Sequence, residues 1–312
     1  HTDSDGDDRY VAKNPEHGAT LTYYLKDDVL SAKEKRQKAE KALLEDDKFP
    51  KYPSWEAVEA ELLEEAPAVY LEIRDTNGEV VNRVEGSAKK GLHRATWNMQ
   101  HAGTTPINDK DSKNKGLMAM PGSYSAVLMK REGAELTQLA EPVEFELVSI
   151  YEGALEGPSK DEIKAFQQEL TLVQARVLSS TTVLKQLNDT MDMVRMAIDR
   201  TPSDVALLET KYADIQNEIN AINKVFNGLA SREKNGIKPA NVMSRLRYAM
   251  SALWSSYGPT QQHKDQLSYA NDGVEQVVER IKVIQEQSVP SLQQAIVDQG
   301  GPWTTGLPVI AK

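Results

Sequence analysis

The fold of this chain is decided by residues 159–200, SKDEIKAFQQELTLVQARVLSSTTVLKQLNDTMDMVRMAIDR. Large apolar side chains recur there at alternating steps of three and four, and one gap falls at Ser180. This heptad spacing predicts a helix of roughly 60 Å that packs lengthwise against other helices. Ser159 and Glu162 have the spacing of a capping box at its start. The apolar positions are Ile163, Phe166, Leu170, Val173, Val177, Leu184, Leu187, Met191, Val194 and Ile198.

The chain downstream offers matching apolar faces. The same steps recur over residues 205–229 and 267–284, and a shorter helix is predicted over residues 241–257. Helices joined by short turns pack as antiparallel neighbours. We therefore predict an up-down antiparallel four-helix bundle over residues 159–300, followed by an irregular tail over residues 301–312.

The sequence also predicts how these helices begin and end. Thr201 and Pro202 have the residue types of an N-cap and a first helical position, so we expect the second helix to start there. Pro290 is expected to kink or restart the last helix. Because the first helix is longer than its partners, one of its ends should extend past them. We expect the N-terminal domain, the short helix or an arm around Trp303 to cover that end.

Upstream of this helix the sequence pattern is typical of short strands that are separated by hairpin turns. Apolar residues alternate in them, and Asn77-Gly78 is a strong hairpin signal. We predict an antiparallel β-sandwich of the immunoglobulin or fibronectin type over residues 19–150, and hence an α+β multidomain chain. The predicted strands cover residues 19–26, 69–75, 79–85, 92–99, 123–130, 134–139 and 142–148.

A helical insertion interrupts the strands at about residues 28–66. Its first helix, over residues 31–47, is highly charged, and Pro53-Ser54-Trp55 starts a second one that ends at Leu63. Val58 and Leu62 fall on the same side of that helix as Trp55. We interpret the charged face as a solvated surface, and a role in binding a partner stays open.

Composition excludes several classes of function. The 312 residues carry a net charge of −10, and no Lys/Arg-rich run argues for nucleic acid or anionic lipid as a partner. There is no cysteine, so disulfides and thiol chemistry are excluded. No apolar run reaches the length of a membrane span. The chain opens with His1 and shows no signal peptide, which favours a processed product or a piece of something longer.

The first residues contain candidate ligands for a cation. Asp3, Asp5 and Asp7 alternate around Gly6, and alternating carboxylates can bind calcium. The later Glu of an EF-hand is missing, so we favour an acidic linker over residues 1–18 and expect no metal and no other cofactor.

The residues do not assemble a catalytic centre. No Gly-x-Ser-x-Gly elbow and no glycine-rich phosphate loop occurs, and His263 has no Glu-x-x-His partner for a di-iron site. We therefore expect no enzymatic activity in this chain. Trp97, Tyr23 and Tyr124 could form a ligand surface on one sandwich face, although alternation buries such residues as readily as it exposes them. For Trp97 we favour a place in the sandwich core over a role in a ligand surface.

Three stretches in order, followed by a helical tail, resemble a known family. They are NPEHGATLTYYLK at residues 14–26, GLHRATWNM at residues 91–99 and PGSYSAVL at residues 121–128. Together they resemble the C-terminal region of bacterial BNR-repeat β-propeller proteins, which are sortilin-like or VPS10-like and often labelled glycosyl hydrolases. The resemblance covers about residues 19–300, and the insertion is unusual for the family.

The resemblance implies an accessory role rather than an activity. In that family the catalytic or ligand-binding surface belongs to the propeller, and the propeller's Asp-box repeat does not occur in this chain. It implies a non-catalytic region of an exported protein that serves interaction or structural stabilisation. The partner would be its own propeller, with another protein or a glycan as further options. The alternative is a carbohydrate-binding module of a glycoside hydrolase. Because the helices can bury one another's apolar faces, we expect a monomer.

Overall fold

The computed structural model describes residues 14, 16–107, 116–150, 156–228, 240–255 and 257–308. The chain divides into two compact units, which we call the β unit and the helical unit. The β unit comprises His1–Gly103 and Lys115–Ile150, and the helical unit comprises Thr104–Asn114 and Tyr151–Lys312. Antiparallel sheets characterise the first and long packed helices the second, so the α+β class is confirmed.

The described residues of the β unit form two antiparallel sheets. β1 pairs with β4, and the larger sheet has the order β3-β2-β5-β6, with β7 also paired to β5. The strands are β1 (Ala19–Leu25), β2 (Ala68–Arg74), β3 (Val80–Gly86), β4 (Gly91–Trp97), β5 (Gly122–Glu132), β6 (Glu135–Gln138) and β7 (Val143–Leu147).

A tight turn joins β2 to β3, as the Asn-Gly signal predicts. Gly78 has a φ of 79°, which a glycine adopts without steric cost. Its backbone N–H donates to the carbonyl oxygen of Asp75 at 3.0 Å. The Asp75 carboxylate accepts from the backbone N–H groups of Asn77 at 2.9 Å and Glu79 at 3.0 Å, which fixes the register of the hairpin.

Both sheets contribute side chains to the same buried clusters. One cluster joins Tyr23 and Leu25 of β1 to residues of β2, and another surrounds Trp97 of β4. The Trp97 ring centroid lies 5.4 Å from that of Tyr124 and 6.1 Å from that of Phe145. The inward alternation predicted for these strands is confirmed. The buried positions include Val69, Leu71, Ile73, Ala95, Ala126 and Leu128.

Two helices lie between β1 and β2. They are α1 (Ala32–Glu45) and α2 (Trp55–Leu63). Ser31 and Glu34 form a capping box at the start of α1, and the Ser54 hydroxyl accepts from the backbone N–H of Ala57 at the start of α2. Short polar side chains therefore define where both helices begin.

The helical unit begins with the long helix that the heptad spacing predicts. This helix, α3, spans Lys160–Asp199, and Ser159 with Glu162 forms its capping box. Ser180 is 8 % exposed, so the gap in the apolar pattern lies within the buried stripe and not outside it. The stripe consists of Phe166, Leu170, Val173, Val177, Ser180, Leu184, Leu187, Met191, Val194, Ala197 and Ile198.

The second helix, α4 (Ala206–Asn227), starts later than predicted. Thr201 is not its N-cap, because the Thr201 hydroxyl donates to the carbonyl oxygen of Ala197 at 2.9 Å and so belongs to the end of α3. Asp204 instead accepts from the backbone N–H of Ala206 at 3.0 Å. The predicted start at Thr201-Pro202 is therefore wrong by four residues.

The short helix ends before its predicted bound at residue 257, and the last helix consists of two α-helical pieces. α5 spans Val242–Met250 and continues as a 3₁₀ turn over Ser251–Trp254. α6 spans Gln261–Val283. A π turn over Ile284–Ser288 leads into α7, Val289–Asp298. Pro290 lies in the first turn of α7, so the prediction that this proline kinks or restarts the last helix is confirmed. The wider π turn before it accommodates a residue that cannot donate a backbone hydrogen bond.

The order of contacts shows that α4 and α5 follow one another along α6. Arg280 of α6 pairs with Glu218 of α4 at 2.6 Å, and Gln266 accepts from Arg245 of α5 at 3.1 Å. His263, one turn before Gln266, stacks on Tyr248 with centroids 5.2 Å apart. Both α4 and α5 therefore run antiparallel to α6, and α5 continues the direction of α4.

The first and last long helices consequently run parallel. Glu162 near the start of α3 contacts Lys264 near the start of α6, and Arg176 contacts Glu275 farther along both helices. An up-down four-helix bundle would place these helices antiparallel, so that prediction is wrong. The short helix α5 contacts α3, and thus it covers the length of α3 that α4 does not reach.

Candidate functional site

The three aromatic residues predicted as a ligand surface lie in the interior of the β unit. Trp97 is 0 % exposed, and Tyr23 and Tyr124 are each 8 % exposed. The polar group of each of these side chains donates a hydrogen bond to a backbone carbonyl oxygen of the protein. Trp97 donates to the carbonyl oxygen of Gln100, Tyr23 to that of Ser87 and Tyr124 to that of Met120. Burial raises the pKa of both tyrosines.

The prediction of a ligand surface at these residues is therefore wrong. Strand alternation correctly places Tyr23 and Trp97 on one face each, but that face is the one between the sheets. A carbohydrate-binding role would have to use other aromatic residues.

The candidate metal ligands Asp3, Asp5 and Asp7 lie outside the described residues. Among the residues that the structure describes, no group of three or more His, Asp or Glu side chains has the geometry to bind a metal ion. Within the same residues, no helix is long and apolar enough to cross a membrane.

The helical insertion between β1 and β2 has a charged inner side and an apolar outer side. Ion pairs hold its two helices together. The Arg36 guanidinium donates to both carboxylate oxygens of Glu61, at 2.6 and 2.8 Å, and to Glu40 at 2.7 Å. These bonds lower the pKa of Glu61 and raise that of Arg36. The backbone N–H of Ala32 donates to Glu64 at 2.7 Å, which ties the two ends of the insertion together.

Ion pairs also attach the insertion to the larger sheet. Lys35 of α1 contacts Glu132 of β5 at 3.0 Å, and Arg131 contacts Glu65 at 2.8 Å. The Arg131 guanidinium also lies 5.6 Å from the centre of the Tyr70 ring. The inner side of the insertion is therefore polar and charged.

The outer side of the insertion carries its apolar side chains. All residues of α1 and α2 are described, and no side chain among them is buried. Phe49, Tyr52 and Trp55 are 93 %, 100 % and 86 % exposed. Leu62 and Leu63 are also exposed, at 75 % and 80 %. Apolar residues exposed next to one another are typical of a surface that binds something.

The sequence predicted this insertion, but it did not predict that the inner side would be charged and the outer side apolar. The spacing places Val58 and Leu62 on the side of Trp55, yet Trp55 and Leu62 are exposed. Glu61 and the half-buried Val58 occupy the inward side. Phe49 and Tyr52 were missed entirely. The signal that could have found them is FPKYPSW at residues 49–55, an aromatic segment whose two prolines lie between the helices and whose Trp55 opens α2.

A concave surface lies at one end of the helical unit. It encloses about 200 Å³ between the end of α3 and the tail. The side chain of Gln293, which is 2 % exposed, donates to the Thr304 hydroxyl at 2.9 Å and to the Thr305 carbonyl at 2.8 Å, so the tail is fixed there. The lining residues are Met193, Met196, Ala197, Arg200, Pro302, Trp303, Thr304 and Thr305.

This chain matches no protein-family model, no curated protein and no solved structure. Its function is therefore argued from its own residues. Of the surfaces described above, the outer side of the insertion carries three aromatic and two leucine side chains, each at least 75 % exposed, within residues 49–63.

Proposed function

We propose that this chain is a non-catalytic accessory region that serves interaction and structural stabilisation within a BNR-repeat, sortilin-like propeller protein. The observation that carries the proposal is the insertion between β1 and β2. Its charged side chains hold it in place, and Phe49, Tyr52 and Trp55 extend into solvent. Exposing rings of this size costs free energy in water, and contact with a partner removes that cost.

We further propose that the β unit is a fibronectin-like sandwich. The strand order supports it, since β1 and β4 pair in one sheet while β3, β2, β5 and β7 follow one another in the other. This arrangement distributes consecutive strands between two sheets, as sandwiches do. The insertion then occupies a loop at one end of the sandwich, a position where binding surfaces are often placed.

The propeller partner and an exported location rest on the resemblance of residues 14–26, 91–99 and 121–128 to the family. The test begins with the upstream coding sequence, which should contain Asp-box repeats. The propeller encoded there, expressed separately, is titrated with this chain by calorimetry. We expect saturable binding, or a higher unfolding temperature of the propeller when this chain is present.

Two results would overturn the proposal. One is an upstream sequence without Asp-box repeats. The other is a propeller whose unfolding temperature and heat of mixing do not change on addition of this chain.

Two variants test whether the insertion makes the contact with the propeller. Trp55→Ala is the test and Tyr24→Ala is the control, because both remove an exposed ring and only Trp55 belongs to the insertion.

A further inference from the structure

The segment that joins α1 to α2 shows a period of three residues. Pro50 and Pro53 are half-buried, whereas the residues on either side of each are exposed. Proline fixes its own φ and restricts the preceding residue to extended conformations. Ser54 has φ −70° and ψ 159°, close to polyproline II values. A polyproline II helix has three residues per turn, so every third residue lies on the same edge.

This period separates the segment into edges of different chemistry. The proline edge is the half-buried one. A second edge carries Phe49, Tyr52 and Trp55, and a third carries Lys48 and Lys51, which are exposed. The conformation is preorganised by the prolines, so little backbone entropy is lost when another surface covers it.

The exposed area has the size that a stable interface needs. Three aromatic rings offer roughly 600 Å² together, at about 200 Å² each. Leu62 lies two turns along α2 from Trp55, so the apolar surface continues onto that helix. A standard protein–protein interface buries about 800 Å² on each partner.

The sequence of the segment is complementary to itself. If two copies pair antiparallel across a two-fold axis at Tyr52, positions equally far before and after Tyr52 come together. Phe49 then faces Trp55 of the second copy, and Lys48 faces Glu56. Aromatic residues meet aromatic residues and a lysine meets a carboxylate, with each contact made twice. Lys48 also pairs with Asp46 at 3.4 Å, but both side chains remain about two-thirds exposed.

We propose that two copies of this chain form a homodimer through residues 48–56, paired antiparallel about Tyr52. The proposal rests on the proposed function in one respect, that the insertion is an interaction surface. It differs from the expectation of a monomer, because that expectation concerned the apolar faces of the long helices and not the insertion.

Sedimentation of the full chain over a wide concentration range tests the pairing. The mass should rise from 34.7 kDa toward twice that value. Trp55→Ala should weaken the dimer about tenfold or more, as truncation of an aromatic residue that an interface buries does. Tyr24→Ala is the matched control, since Tyr24 is 62 % exposed and lies in β1 outside the segment. This control should leave the dissociation constant unchanged.

A charge swap tests the antiparallel arrangement itself. Lys48→Glu and Glu56→Lys alone should each weaken the dimer about two- to fivefold, because each places like charges opposite one another. The double variant restores both pairs and should restore the affinity.

A chain that stays monomeric at the highest concentration overturns the proposal, and so does a dimer that Trp55→Ala leaves intact. A double charge variant no tighter than the single variants overturns the antiparallel register. Sedimentation measures the association of this chain with itself, and the calorimetric titration measures its association with the propeller, so the two proposals can fail separately.

Discussion

Ser180 interrupts the apolar stripe of α3 with a hydroxyl group. The residue is 8 % exposed and lies between Val177 and Leu184, which are 0 % and 2 % exposed. Ser180→Ala removes a polar group from apolar surroundings and improves helix propensity, so we expect it to stabilise the helical unit by about 0.5–1 kcal/mol. Thermal unfolding followed by far-UV circular dichroism measures the change.

Ser179→Ala is the control for this substitution. Ser179 is exposed, and its hydroxyl donates to the carbonyl oxygen of Arg176 at 3.0 Å. Because Ser179 is exposed, the control measures the effect of helix propensity alone, without the removal of a buried hydroxyl group. Equal effects of the two substitutions would show that the buried hydroxyl costs nothing.

Glu72 is a charged residue that β2 holds away from water. It is 4 % exposed, and it accepts hydrogen bonds from Arg74 at 2.6 Å and Arg83 at 2.8 Å. Burial raises the pKa of this carboxyl group, but the two guanidinium groups together outweigh burial and hold the pKa below its usual value. Ionised Glu72 therefore stabilises the fold above the unfolded-state pKa, and this contribution is lost as the pH falls through the depressed folded-state pKa.

We expect Glu72→Gln to lower the free energy of unfolding by about 1–2 kcal/mol at neutral pH, because both arginines lose a charged acceptor. The loss should shrink in acid, where the wild-type carboxylate becomes protonated. Denaturant unfolding at several pH values measures this, with Glu85→Gln on the exposed side of β3 as the control. A loss that is the same at every pH would contradict the role assigned to the charge.

Residue-scale features were predicted from the sequence only where a local pattern determines them. The hairpin at Asp75–Gly78 and the Ser159–Glu162 capping box depend on neighbouring residues, and both were predicted. The burial of Trp97 in the sandwich core was also expected and is confirmed. The burial of Tyr23 and Tyr124 was left open, because alternation assigns a residue to a face but does not say which face is covered.

Gly273 marks the close approach of α5 to α6. A Cβ atom at this position would lie 2.6 Å from the Cγ2 methyl of Val242, which is 3 % exposed. Alanine in place of glycine would gain about 1 kcal/mol of helix propensity. The overlap with a short, branched side chain outweighs that gain, so we expect Gly273→Ala to destabilise the helical unit by about 1 kcal/mol.

A double-mutant cycle separates the two effects. In a Val242→Ala background the obstructing methyl is gone, so the same glycine-to-alanine change should become stabilising. The sign reversal is read from thermal or denaturant unfolding of the four variants. If Gly273→Ala has the same sign in both backgrounds, α5 does not pack on α6 at this position.

Apolar spacing predicted the existence of the helices better than their directions. The stripes of α3, α4 and α6 all follow from steps of three and four. The same spacing is compatible with either direction of α5, so the parallel arrangement of α3 and α6 was not predictable from it. The start of α4 was misplaced because the Thr201 hydroxyl can serve the end of one helix as well as the start of the next.

At the scale of the whole molecule, the charged inner side of the insertion determines how far the β unit depends on the insertion for its stability. The charged face was interpreted as a solvated surface, but Arg36, Glu61 and Glu64 occupy the inner side, and ionic contacts replace a core. Sequence patterns could not predict this, since charged residues were expected to face solvent. Such an insertion should contribute little to the stability of the β unit.

Replacing residues 31–65 with a short Gly/Ser linker tests this expectation. The ends of the insertion are adjacent, because the Ala32 backbone N–H donates to Glu64 at 2.7 Å, so a short linker can connect them. Val29 stays, since it packs against the core and its backbone N–H donates to Ala88 at 2.8 Å. The lost contacts with β5 are surface ion pairs, each worth up to about 1 kcal/mol. We therefore expect the free energy of unfolding to fall by no more than about 2 kcal/mol.

The readouts are cooperative unfolding and the backbone amide spectrum of the β unit by NMR. Resonances from β2 and β5 should persist, with shifts concentrated near Arg131 and Glu132, where the ion pairs are lost. The shortened chain should also sediment as a monomer at every concentration, because residues 48–56 are gone. Loss of cooperative unfolding would instead show that the insertion is an integral part of the β unit, and its exposed aromatic residues would then need a structural explanation.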